Sequence, residues 1–165
     1  MRAKTCYCAI AVLALAAASC VHGEGMTLPK EASRIPEDQI VTLLKEAQSG
    51  LQTRRRWVIR SDEEWVALWD VVYAGRTPVP ERPQVDFAQN MVIVASAGTR
   101  PSGGHQIDFE AVGRVGSTYH VVVRESSLAR NCAAPAVVSN PVIAVRVPAT
   151  SGSASYIEKA VTLRC

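Results

Sequence analysis

The sequence is poor in aromatic side chains: Phe, Tyr and Trp together make up 5% of its 165 residues. That scarcity removes most of the interleaved stacking schemes by which proteins hold nucleic-acid bases. A formal net charge of +3 adds no strongly basic face, so a nucleic-acid partner is not expected. Charged residues account for 20% of the chain, with 10 Gly and 9 Pro, which excludes collagen-like, coiled-coil and acidic disordered classes. No nucleophile, base and orienting group can be named together, so an enzyme is not expected either. Beyond the first twenty residues there is also no apolar run approaching the ~20 residues that a membrane-crossing helix requires.

What is there begins with an export signal. Arg2 and Lys4 give a positive start, Ala9 to Ala18 form an unbroken apolar run, and Ala17-Ala18-Ser19-Cys20 follows with small residues. The small residues before Cys20 resemble the lipobox of bacterial lipoproteins, in which the cysteine is lipidated and becomes the mature N-terminus. Ala17 stands where such boxes favour Leu, so the alternative is a secreted, unlipidated protein. The expected division is an export signal over 1–19, a flexible tether over 20–38 rich in Gly, Pro and charge, and a single domain over 39–165. A lipid at Cys20 would then be the chain's contact with the membrane.

Of the five cysteines only Cys132 and Cys165 lie in the expected domain. An even number in an exported protein reads as one disulfide, contributing roughly 3 to 4 kcal/mol on the chain-entropy model. In the strand reading, Cys165 shares a face with Val161 and Leu163, which suits a buried bridge. Two cysteines without a nearby histidine make a poor metal site, and no metal or cofactor is expected.

Ile40 to Glu46 and Arg54 to Arg60 read as two strands around Ser49-Gly50, a first hairpin. Ser61 and Glu64 form a capping box that opens a helix, with Trp65, Leu68, Trp69 and Val72 at helical spacing and Gly75 as terminator. The continuous apolar run Met91 to Ala97 fits a strand covered on both faces. Ile107 to Ala111, Tyr119 to Arg124, Ile143 to Val147 and Tyr156 to Leu163 supply further strands. The expected fold is α+β: mainly antiparallel β, about seven strands in a sandwich or open barrel, with one packed helix near 61–74.

Gly98-Thr99-Arg100-Pro101-Ser102-Gly103-Gly104, between two of these strands, and Ser139-Asn140-Pro141-Val142-Ile143-Ala144-Val145-Arg146-Val147-Pro148 together resemble the PrcB C-terminal domain family. The resemblance covers roughly Met91 to Pro148. It implies a small exported bacterial domain, often on a lipoprotein and named after a subunit of a surface protease complex. The family pattern usually carries an aromatic residue where this chain has His105, and Pro-Tyr where it has Pro141-Val142.

The candidate partner-binding loop is therefore Gly98, Thr99, Arg100, Pro101, Gly103, Gly104 and His105, read as an apical hairpin loop with Arg100 as its charged contact. The competing reading is a demanding turn without further role. Ser102, His105 and Asp108 suggest an acid-base set only by proximity. Arg54, Arg55 and Arg56 alternate faces and read as a solvated edge strand, and His120 reads as a surface residue. The functional expectation is a non-catalytic accessory module of the cell envelope, periplasmic or surface-facing, that binds another envelope protein, a protease being the candidate the resemblance implies. The alternatives are a protease inhibitor using the 98–104 loop and a small-ligand carrier with a closed apolar pocket.

Overall fold

The computed structural model describes residues 27–165. The expected export signal, Cys20 and the first residues of the expected tether lie outside the described residues. In chain order the elements are β1 (Ser33–Arg34), a 3-10 turn (Glu37–Gln39), β2 (Val41–Glu46), β3 (Arg55–Ile59), α1 (Asp62–Val72), β4 (Asn90–Ser96), β5 (Gln106–Val115), β6 (Thr118–Leu128), β7 (Val142–Pro148) and β8 (Ala154–Leu163).

The strands form two four-stranded sheets, ordered β1-β5-β6-β8 and β2-β7-β4-β3. The second sheet is the middle layer. Alternate residues of β4 and β7 point to opposite faces, as strand geometry requires. Met91, Ile93, Ala95, Ile143, Val145 and Val147 meet Tyr119, Val121 and Val123 of the other sheet. Val92, Val94, Val142 and Ala144 meet Trp65, Leu68, Trp69 and Val72 of α1. A strand covered on both sides has no polar face to keep, which is why Met91 to Ala97 is apolar throughout.

Helix α1 starts where its cap dictates. Ser61 Oγ accepts from the Glu64 amide at 3.2 Å, and the Glu64 carboxylate accepts from the Arg60 amide at 2.8 Å, one residue earlier than in the usual reciprocal box. The helix buries Trp65, Leu68, Trp69 and Val72, each worth about 1.5–3 kcal/mol or more of transfer free energy. The two indoles also organise the proline-rich connection after the helix: Trp65 Nε1 donates to Pro83 O at 2.9 Å and Trp69 Nε1 to Pro80 O at 3.0 Å. A buried indole N–H without such an acceptor would be costly.

Three expectations need correction. The first hairpin does not form: β2 pairs with β7 and β3 with β4, so the two strands lie at opposite edges of one sheet. The doubly covered β4 and β7 take the centre and displace them. Nor is the whole of 27–38 a tether. A Cβ on Gly113 would lie 2.9 Å from Leu28 Cδ1, Ser33–Arg34 pairs with β5, and Ile35 packs against the inter-sheet core.

The sheets are mostly antiparallel, but β6 and β8 are parallel. Parallel neighbours need a crossover, and here the chain makes it by leaving for the other sheet through β7. Finally, the disulfide exists, with a Cα–Cα distance of 5.6 Å, yet it lies at the surface, since Cys165 is exposed and Cys132 only half-buried. Strand β8 is an edge, so the face carrying Val161 and Leu163 has no layer over its end.

Candidate partner-binding surface

The glycine-rich segment leaves β4 in one sheet and enters β5 in the other. It is thus a crossover between layers, and the expected apical hairpin is corrected. Gly98 has φ +71°, and a Cβ there would lie 2.6 Å from the Arg54 amide nitrogen. Gly104 has φ +81°, with Leu128 Cδ1 at 2.7 Å from its would-be Cβ. Only glycine meets both demands, a left-handed backbone and a close neighbour.

Backbone bonds fix the segment on two sides. The Thr99 amide donates to Gln52 O at 3.0 Å. Arg100 and Ser139 form an antiparallel bridge, with N–H to O distances of 2.8 and 3.0 Å. Ser139, 3% exposed, sends its hydroxyl to Ser102 O at 2.8 Å. Asn140 Nδ2 donates to Thr99 Oγ1 at 2.9 Å. Thr99 and Pro101 are exposed, while Gly98 is buried and Arg100, Gly103, Gly104 and His105 are half-buried.

What this platform supports is the segment from Ala129 to Asn140, which the sequence reading passed over. Ala133, Ala134, Pro135, Ala136, Val137 and Val138 are consecutive, uncharged and all exposed. Val137 is 43% and Val138 56% exposed. No residue between Val123 and Val142 belongs to the buried apolar core. The segment is held instead by the Cys132–Cys165 bridge at one end and the Arg100–Ser139 bridge at the other. Between them the Gly103 amide donates to Pro135 O at 2.9 Å. A continuous exposed apolar stretch held in place in this way marks an interaction site more often than chance.

Behind the platform lies an ion network. Arg56, only 9% exposed, donates to Glu125 and to both Glu158 oxygens at 3.0 and 2.9 Å. Arg54 donates to Glu125 at 2.8 Å and to Glu158 at 2.7 Å, and Arg100 reaches Glu125 at 2.6 Å. Burial raises the Glu125 carboxyl, but the hydrogen bonds and charges of Arg56 and Arg54 outweigh it and leave its pKa below the ordinary value. The expectation of a solvated arginine edge is corrected: Arg54 and Arg56 share the face toward the other sheet, and Arg55 lies on the opposite face over Trp57, 5.1 Å from its ring centre. The network also blunts β3 as an edge. Arg56 Nη1 caps Arg55 O at 3.0 Å, and Tyr156 Oη caps Trp57 O at 3.0 Å. Burial pushes the Tyr156 phenol well up.

Other candidates disperse. Asp108 pairs with Lys45 and with Arg124 at 3.5 Å, and among the described residues no hydrogen bond joins Ser102, His105 and Asp108. His120 is half-buried on β6. His105 and Val142, the two positions departing from the aromatic pattern, line one cleft of ≈ 340 Å³ with Lys45, Ile107 and Pro141.

Residues 91–148 match the family model described as PrcB C-terminal. No curated protein and no solved structure matches the chain. The matched residues contain the glycine-rich crossover, the exposed apolar segment and both strands at the centre of the middle sheet.

Proposed function

Residues 91–148 belong to the PrcB C-terminal family, and from that premise we propose that the chain is a non-catalytic accessory module of the bacterial cell envelope that docks onto another protein through Ala133–Val138. The observation that carries this reading is the run of six uncharged, exposed residues fixed at both ends outside the core. Such a surface matches an apolar, uncharged depression on a partner. Because the segment is already ordered, binding costs little further conformational entropy. The polar groups around it are committed to structure: Arg100 to Glu125, Ser139 to Ser102 and Asn140 to Thr99. Export and lipid anchoring at Cys20 rest on the sequence of the first twenty residues.

The protein-binding reading predicts that Val137→Asp abolishes capture of the partner from the native envelope while the domain stays folded. Unchanged capture contradicts it. A protease-inhibitor reading is favoured by one observation, that the apolar segment is held at both flanks as a cleft-binding wedge must be. It relocates the wedge from 98–104, which is pinned, to 133–138. An inhibitor slows a purified extracytoplasmic protease stoichiometrically; an accessory subunit copurifies with it and leaves turnover intact. A ligand carrier finds less support, since Met91, Ile93, Tyr119, Val121 and their neighbours fill the centre between the sheets, and the clefts beside His105 and beside Ile35 are open to the surface.

A further inference from the structure

We propose that the Cys132–Cys165 disulfide is a redox latch on the docking segment: closed, it holds Ala133–Val138 in its docking position, and reduction by a dithiol releases the segment without unfolding the sandwich. The effect on docking rests on the reading above; the release itself does not.

The bridge joins two pieces of chain that the core does not hold. On one side is the segment from Ala129 to Val138, which contributes no side chain to either apolar cluster. On the other is the exposed end of the edge strand β8, Thr162 to Cys165. Without the bridge, the backbone hydrogen bonds between this segment and the rest of the protein reduce to Ala129 N to Leu163 O at 2.8 Å, Gly103 N to Pro135 O at 2.9 Å and the adjoining Arg100–Ser139 pair. Arg130 to Ala134 would then be tied to the body by none of them. Freed chain regains backbone entropy at every residue, which one partly exposed hydrogen bond at Pro135 and the weak contact of the Cys165 amide with Cys132 Sγ do not offset.

The core is built differently. Strands β4 and β7 pair over seven positions from Asn90↔Pro148 to Ser96↔Val142 and are covered on both faces. Local and global opening should therefore separate.

The chemistry is ordinary thiol–disulfide exchange. A dithiol thiolate attacks the exposed Cys165 sulfur, the Cys132–Cys165 bond breaks as a mixed disulfide forms, and Cys132 leaves as a thiolate that takes a proton. The second thiol of the reagent then attacks the mixed disulfide, frees Cys165 as a thiol and ends as a disulfide itself. Two electrons pass to the protein. In an oxidising compartment the latch stays closed.

The test is amide hydrogen exchange on the full chain, oxidised and after treatment with dithiothreitol, with Cys132→Ser/Cys165→Ser as a reagent-free counterpart. The latch predicts at least tenfold faster exchange at Cys132, Gly103 and Val137 in both reduced and substituted proteins. The amides of Val94, Val121 and Val145 stay protected over labelling times that exchange the segment fully. Unchanged exchange at Cys132 and Val137 overturns the proposal, and so does loss of protection at Val94 and Val121 together with the segment. A parallel capture experiment separates the two readings. If exchange follows the prediction and capture by the oxidised and reduced proteins is equal, the latch stands as a structural device and the docking role of Ala133–Val138 falls.

Discussion

Arg100 and Ser139 exchange backbone hydrogen bonds at 2.8 and 3.0 Å although 39 positions separate them in the chain. This isolated bridge couples the glycine-rich crossover to the exposed apolar segment. The glycines permit the close approach, the crossover supports the segment, and the apolar side chains are left outside. The most specific motif in the sequence is therefore a support, and its inconspicuous neighbour is the surface we propose for docking.

Substitutions within Ala133–Val138 should separate binding from folding. Val137→Asp or Val138→Asp is expected to weaken partner capture more than tenfold, because a charge enters an apolar contact. The melting temperature should move by no more than about 2 °C, since both residues are exposed and surface changes are usually within ~0.5 kcal/mol. Calorimetry on the same preparations checks the second half.

Gly98→Ala should damage folding and leave the surface chemistry untouched. Forcing an alanine to φ +71° costs about 1–3 kcal/mol, and the Arg54 backbone 2.6 Å from the new Cβ must also shift. Urea denaturation should show a loss of at least about 2 kcal/mol.

Glu125→Gln should cost about 1–3 kcal/mol, because it removes the charge of one of the two carboxylates that pair with Arg56, at 9% exposure, and leaves Glu158 as the other. The figure is set below that of a fully buried pair, as Glu125 keeps 19% exposure. Denaturant midpoints for the wild type and variant at pH 7 check it. Arg100→Ala, which removes a more exposed member of the network, should cost less.

The same network predicts the acid limb of stability. The folded-state pKa of Glu125 lies below its ordinary 4.5, so as pH falls the unfolded chain takes up the proton first. Its contribution is fully present above about 4.5 and is lost as pH drops through the lower folded value. Glu125→Gln should therefore show a shallower loss of stability below pH 4.5 than the wild type, measured as denaturant midpoint against pH.

The features legible in the sequence were those with a local cause. Ser61 and Glu64 announce the helix because capping operates within one turn. Met91 to Ala97 announces a doubly covered strand because its composition leaves no solvent face. The Cys132–Cys165 pairing follows from there being two candidates in the expected domain. Strand partnership was not legible, since β2 and β3 are neighbours in sequence while their ladder partners lie 96 or more and 33 or more positions away. Arginines at 54 and 56 read as solvated because Glu125 and Glu158, their partners, belong to the other sheet. Ala133 to Val138 was invisible for a different reason. An uncharged apolar stretch reads as core by composition, and only its place between two anchors shows that no layer covers it.

Site-specific photocrosslinking of the full chain in its native envelope decides whether Ala133–Val138 is the docking surface. A photoreactive side chain is placed at Val137 or, as a control, at Ser117 in the β5–β6 turn, at the opposite end of that hairpin from Gln106 and Ser126. Docking through Ala133–Val138 predicts one discrete protein adduct from position 137, lost when Val138→Asp is introduced alongside it, and none from position 117. No adduct from 137, or the same adduct from both positions, would contradict it.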